Sequence, residues 1–275
     1  MAKNLAAKDK RRLKEERGAG VGENYKPYIR TQDAGKLGRT TRVKGIKTNR
    51  THNLLSDLET NFMHILEYSD IVVDIREQFP LDLEETNRIA EDLGVKHPVC
   101  STTKEPVVMT TDFLITVRYN NKQMDVARTC KYAKDLIERQ IIKFEIEREY
   151  WARKGVDWAI VTDFEVNKTF AQNIKFIHSF YSLDNLEGFE SIKKQERARL
   201  IQSFKQQIVG DSVIIRDISS NFDDSNSLLV GTSLSIYKHL LMTKQISVDL
   251  NKKLNFDHPE SVILYPHERM ERRAV

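Results

Sequence analysis

The chain is poor in cysteine, proline and glycine and has no long apolar run, and each shortage excludes something. Its 275 residues hold two cysteines, Cys100 and Cys130, too few for a disulfide framework and without the CxxC spacing of a zinc site. Six Pro and 11 Gly without a repeat exclude a collagen-like fibre. No stretch approaches the roughly 18 apolar residues of a membrane helix. The opening MAKNLAAKDKRRLKEER has no apolar stretch after its charges, so no secretory signal is expected and the chain is most simply cytoplasmic or nucleoid-associated. HExxH, GxSxG and Walker A segments are missing, and the seven His are scattered, which argues against zinc hydrolase and P-loop chemistry. The glycines of residues 18–22 (GAGVG) follow a predicted helix and lack a following Lys-Ser/Thr, so they read as a helix stop. What remains is 40% apolar and 31% charged, with 12 Phe, 9 Tyr and 2 Trp: enough for one large core or two modest ones.

The charge is unevenly placed. Residues 1–50 carry 15 Lys+Arg against 5 Asp+Glu, while the remaining 225 carry 29 against 35. A basic arm on a mildly acidic body points to a polyanionic partner. Residues 36–50 (KLGRTTRVKGIKTNR) contain no acid and read as a strap following a phosphate backbone. Arg39, Arg42, Lys44, Lys47 and Arg50 are its candidate contacts, and salt should weaken them steeply.

Periodicity predicts a helix over 3–17, an amphipathic helix over 56–68 with Leu58, Phe62, Ile65 and Leu66 on one face, a buried strand over 71–75, and a helix over 82–93 stopped by Gly94. Residues 106–118 and 124–132 read as a hairpin turning at Asn120-Asn121, followed by a helix over 134–153 and a strand over 156–162. This is a mixed sheet with helices packed on it. Beyond Asp163 the pattern becomes helical over 168–182, 189–208 and 229–243, with one strand of a small hairpin over 246–254. That suits a winged-helix module or a plain helical bundle.

The hairpin carries the chemistry. Thr129 and Lys131 are two apart on a strand and share a face, and pairing can bring Asp112 beside them. A carboxylate, a second oxygen ligand and a lysine suit Mg²⁺-dependent phosphodiester hydrolysis: the carboxylate holds a hard cation, and the lysine positions water or offsets developing charge. Glu59 is a candidate third acid. It also completes a capping box with Ser56.

At this point longer strings become specific. His52-Asn-Leu-Leu-Ser-Asp-Leu-Glu59, Val73-Asp-Ile-Arg-Glu-Gln-Phe-Pro-Leu81, Lys96-His-Pro-Val99, Thr111-Asp-Phe-Leu114, Glu147-Arg-Glu-Tyr-Trp151 and Thr162-Asp163 resemble the TnsA family in order and spacing, over roughly residues 15–180. The resemblance implies a restriction-endonuclease-like domain over 1–165, its basic arm at 1–50, and a winged-helix-like domain over 166–275 for partner and DNA contacts. It implies a DNA endonuclease, Mg²⁺-dependent with Mn²⁺ as a substitute, that cleaves the 5′ ends of a transposon. The cut-and-paste complex would include a TnsB transposase and a TnsC ATPase on double-stranded DNA, in a bacterial cytoplasm. Glu59 and Asp112 match the family's catalytic acids and Lys131 its lysine. Thr129 stands where the family often has glutamine; a hydroxyl is a shorter, neutral ligand. Glu147 matches a further acidic position, which either holds metal or faces solvent. Gln78 resembles a position near the active site, and His52, Arg76 and Lys96 are further candidates for DNA contact. A catalytically weakened subunit bridging DNA to its partners is the alternative reading, motivated by Thr129.

Overall fold

Strong β-formers dominate residues 72–80 and 110–130, and in the computed structural model they build the sheet that organises the first part of the chain. The structure describes residues 7–33, 39–184 and 186–266, and the chain divides between Val166 and Asn167 into two units. In the first unit β3 (Val72–Pro80), β4 (Thr110–Tyr119) and β5 (Lys122–Cys130) form an antiparallel meander, preceded in the chain by β1 (Thr41–Lys44) and β2 (Thr51–Leu54). The β4–β5 turn places Asn120 and Asn121 at φ 47° and 61°, the left-handed pair that a type I′ turn demands. Strand β6 (Asp157–Val161) joins β5 in parallel. Parallel pairing needs a crossover, which α4 (Glu138–Arg153) supplies.

Helices cover both faces of the sheet. The 3.6-residue spacing of Leu58, Phe62 and Leu66 on α2 (Asp57–Tyr68) packs them with Ile75, Phe113, Ile115 and Val126. On the other face Ile89 of α3 (Leu83–Asp92) and Ile146, Tyr150 and Trp151 of α4 meet Leu114 and Ala127. Burying each large apolar side chain contributes about 1.5–3 kcal/mol. Phe113, in edge-to-face contact with Phe62 at 5.6 Å, is central to the first cluster.

The basic arm folds more firmly than its composition suggests. The described part of the predicted first helix is α1 (Ala7–Lys14); residues 3–6 lie outside the described residues. Beyond it, the Tyr25 hydroxyl donates to the Glu77 carbonyl at 3.1 Å and the Tyr28 N–H to that of Gln78 at 3.2 Å, so the arm lies along β3. Gly18, at φ 89°, presses on Pro80, whose Cγ would lie 2.2 Å from an added Cβ. The expected strap is largely a hairpin: β1 pairs antiparallel with β2, and residues 36–38 lie outside the described residues. Strand β3 also runs on through Arg76, Glu77 and Gln78 to Pro80, where the sequence pattern stopped at 75.

The second unit holds α5 (Lys168–Ile177), α6 (Lys194–Ile208), β7 (Gly210–Val213), α7 (Ile215–Ser225), α8 (Thr232–Met242), β8 (Ile246–Ser247) and β9 (Glu260–Leu264). Its three-stranded sheet has the order β7-β9-β8, with antiparallel pairs. Helix α7 and strands β7 and β9 were not expected, and the strand expected over 246–254 is only two residues long. Asp223 of α7 accepts from the N–H groups of Gly231 and Ser233 at 2.8 and 2.9 Å, satisfying the opening turn of α8 from outside it.

Candidate active site

Alternation along a strand should put residues 75, 77 and 79 on one face. Here Ile75 sits in the α2 core, whereas Phe79 packs on the α4 core. The partner strand slips likewise. Phe113 meets Phe62 of α2, but Thr111, two residues earlier, accepts from Trp151 Nε1 of α4 at 2.7 Å. Between these pairs lie Gln78 and Asp112. Gln78 has φ 50°, a left-handed conformation costing about 1–2 kcal/mol in a non-glycine residue. That one residue breaks the alternation, and such conformations concentrate at functional sites.

The break assembles a site. Gln78, almost wholly buried, points its amide Nε2 at both acids, 3.1 Å from Asp112 Oδ1 and 3.4 Å from Glu59 Oε2. Asp112 Oδ2 accepts from the Cys130 N–H at 2.8 Å. Glu59 holds its cap role as well: its N–H donates to Ser56 Oγ at 3.1 Å, and Ser56 Oγ donates back to Oε1 at 2.9 Å. The Leu55 N–H completes the set on Oε2 at 2.9 Å. Helix start and acid position are therefore fixed by the same atoms.

Electrostatics set this pair apart. Burial, then the charge of Asp112, raises the Glu59 carboxyl above the ordinary range, against the restraint of Leu55, Ser56 and Gln78. Burial raises Asp112 too, against the Cys130 N–H, the Gln78 amide and the charge of Lys131. Two buried like charges held by neutral donors disfavour their own ionised forms.

A cleft of about 480 Å³ opens on Glu59, Asp112, Thr129, Lys131, Gln140, Lys143 and Glu147. Lys131 is half-buried in its wall. Thr129 does not turn to the acid pair: its hydroxyl donates to Glu147 Oε1 at 2.5 Å. The same oxygen accepts from Thr111 at 2.6 Å and Trp158 Nε1 at 3.0 Å. Glu147 is 2% exposed, so the solvated-face reading of it does not hold. Burial, restrained by Thr111 and Thr129 and reinforced by the charge of Asp112, pushes its carboxyl up to about 7.

Among the described residues no three His, Cys, Asp or Glu side chains gather as a metal cage. The donor set fits a different case. Mg²⁺ keeps several waters and asks the protein for one or two carboxylates, and the mutually repelling oxygens of Glu59 and Asp112 provide them.

The expected DNA contacts divide. Arg39, Arg42, Lys44 and Lys96 are exposed, and Lys47 is half-buried with its ammonium on the Ser69 carbonyl at 2.7 Å. Arg50 and His52 are buried and committed elsewhere, which corrects their expected role. The Arg50 guanidinium reaches both oxygens of Glu77 at 2.5 and 2.9 Å and the Ile75 carbonyl at 2.6 Å. His52 Nδ1 lies 2.8 Å from Glu77 Oε2 and Nε2 2.7 Å from Thr48 Oγ1. Burial works against the Glu77 charge, but His52 and Arg50 prevail and hold its carboxyl at about 2. Arg76 is likewise internal, paired with Asp125 at 2.7 Å and Asp74 at 3.4 Å. Gln140 and Lys143 were missed; their one sequence signal is a position on the helix following the lysine strand.

Comparison with known proteins bears on these residues. Residues 69–163 match the family model described as "TnsA-like endonuclease N terminal", and residues 165–250 match "TnsA endonuclease C terminal". The first span contains Gln78, Asp112, Thr129, Lys131 and Glu147. The chain is also similar to the "Transposon Tn7 transposition protein TnsA" of Escherichia coli, 41% identical over 169 residues. That alignment spans 62% of this chain and 61% of the relative's length.

Proposed function

This chain belongs to the TnsA family, and from that premise we propose that it is a DNA endonuclease subunit of a cut-and-paste transposase, hydrolysing the 5′ strand at the transposon ends. The carrying observation is the single Gln78 amide held between Glu59 and Asp112 beside Lys131. Two repelling carboxylates next to a lysine suit phosphodiester hydrolysis better than any role in stability, since each acid raises the cost of charging the other.

Glu59 and Asp112 would hold Mg²⁺, or Mn²⁺ in its place; when bound, the metal supplies charge neutralisation at the phosphate and acidifies its water. The protein's own contributions are positional. Gln78 fixes the separation of the two acids, and the Cys130 N–H orients Asp112. Lys131, at the cleft wall, can donate to the attacking water or a phosphate oxygen. Glu147 anchors the Thr129 side chain instead of leaving it as a free ligand.

The first unit accordingly takes the restriction-endonuclease-like role. In the second, the run α6–β7–α7–α8–β8–β9 with sheet order β7-β9-β8 supports a winged-helix-like module. We assign it contacts with a TnsC-like ATPase, a TnsB-like transposase and DNA, in the cytoplasm. No helix among the described residues is long and apolar enough to cross a membrane.

The test is strand-specific cleavage of labelled transposon-end DNA by wild type and Asp112→Asn, each with the partner transposase, the ATPase and Mg²⁺. Loss of the 5′ cut alone supports the reading, and unchanged 5′ cutting removes it. The commitment of Thr129 to Glu147 favours one second reading, a weakened nuclease that bridges DNA to its partners. Mn²⁺ binding that vanishes in Asp112→Asn would argue against it.

A further inference from the structure

Helix α4 carries its basic residues in two different ways. In its last turns they are all satisfied: Arg148 pairs with Glu145 at 3.1 Å, and Arg153 with Glu149 at 2.9 Å and Asp92 at 2.8 Å. Lys154, just beyond, pairs with Glu85 at 3.0 Å. In its first two turns the opposite holds. Among the described residues, neither Arg139 nor Lys143 has a side-chain hydrogen bond or ion pair. They stand four apart on one face, a like-charge spacing that costs a helix a few tenths of a kcal/mol. They also lie toward the positive end of the helix dipole, where cations are disfavoured.

Nothing in the fold repays this arrangement. Lys143 is half-buried in the wall of the cleft that holds Glu59, Asp112 and Lys131. Burial, then the charges of Arg139 and Lys131, hold its ammonium below the ordinary lysine range. Lys143 thus has the cations Arg139 and Lys131 beside it, each raising the cost of its charge. The acids of the cleft are Glu59, Asp112, Asp135 and Glu147, and none of them is ion-paired with Lys143 or Arg139. An external polyanion would neutralise all three together.

We propose that Arg139 and Lys143 form a phosphate-binding site for the DNA backbone, gripping phosphates that flank the scissile one while Lys131 faces the reacting group. This rests on the nuclease reading above and extends it by moving the DNA grip from the basic arm to α4. One of the arm's expected contacts, Arg50, and the separate candidate His52 are in any case used inside the protein.

The experiment is binding, not cleavage. The full-length protein is titrated onto a fluorescent transposon-end duplex by anisotropy, in Ca²⁺ and from about 50 to 200 mM salt. Arg139→Gln and Lys143→Gln should each weaken binding for every sequence and lower the slope of log K against log salt by about 1. The double variant should lower it by about 2, and Lys143→Arg should restore most of the affinity. Arg153→Gln, on the same helix but already paired, should leave the slope unchanged. Thermal melts separate this from a packing role: Lys143→Gln should melt no lower than wild type, because it relieves repulsion. A wild-type slope in both single variants, or no wild-type binding at the lowest salt, overturns the site. The nuclease reading fails separately: if Asp112→Asn still cuts the 5′ strand while Lys143→Gln loses its slope, the grip stands and the chemistry lies elsewhere.

Discussion

Glu77 and Gln78 are neighbours on one strand, and each anchors a buried carboxylate cluster of opposite character. Glu77 meets Arg50, His52 and the Asn53 N–H, so cations and donors more than offset its burial and its carboxyl is held at about 2. Gln78 gathers Glu59 and Asp112, which have neutral donors, each other and only the Lys131 charge acting on Asp112, and both are pushed up. Burial is common to the two clusters. The sign of the shift separates them: the first is complete within the protein, and the second is arranged for a positive charge from outside. In a buried acid, partner inventory therefore discriminates support from chemistry better than exposure does.

The largest effect expected is on the completed cluster. Arg50→Met leaves the Glu77 charge buried with only His52 and the Asn53 N–H and should destabilise the fold by about 3–5 kcal/mol, read from urea unfolding midpoints. A loss under about 1 kcal/mol, the value of an exposed pair, would erase the distinction. Asp112→Asn should behave inversely: cleavage falls by about 10²–10³-fold or more, while the melting temperature holds or rises as repulsion is removed. A melting temperature well below wild type would make Asp112 a structural acid like Glu77.

Titration sharpens the comparison. Glu77 is depressed from 4.5 to about 2, so its stability is present above pH 4.5 and is lost as pH falls toward 2. Glu147 is raised from 4.5 to about 7, so its contribution is present below pH 4.5 and is lost as pH rises through 7. Wild type should lose on the order of 3 kcal/mol over that window relative to Glu147→Gln, and parallel unfolding curves for the two proteins would contradict it. The smallest effect belongs to the shared cap. Ser56→Ala should cost about 1 kcal/mol and lower cleavage modestly, because Glu59 keeps the Leu55 N–H.

Much of this was legible in the sequence, for reasons that can be named. The two asparagines announce the hairpin, and the hairpin sets Asp112 near Thr129 and Lys131. The Ser56–Glu59 spacing announces both a helix start and the place of the second acid. Long-range pairing was not legible. Charge counting sent Arg50 to a phosphate because its partner, Glu77, is 27 residues away. Strict alternation hides Gln78, since one left-handed residue reverses the faces on two strands at once. In the second unit, Ile215, Ile218 and Phe222 of α7 do follow helical spacing, but the polar run around them masked it. The four residues of β7, Gly-Asp-Ser-Val, carry no strand signal at all.

The arm against β3 has one more consequence. Strand β3 is an edge of the four-stranded sheet, and an uncovered edge invites another chain to add a strand. The Tyr28 N–H and the Tyr25 hydroxyl occupy carbonyls that such a chain would seek. A protein begun at residue 34 would therefore present a docking ledge for copies of itself beside Gln78, so solubility would depend on residues that composition alone marked as a basic arm for a polyanion.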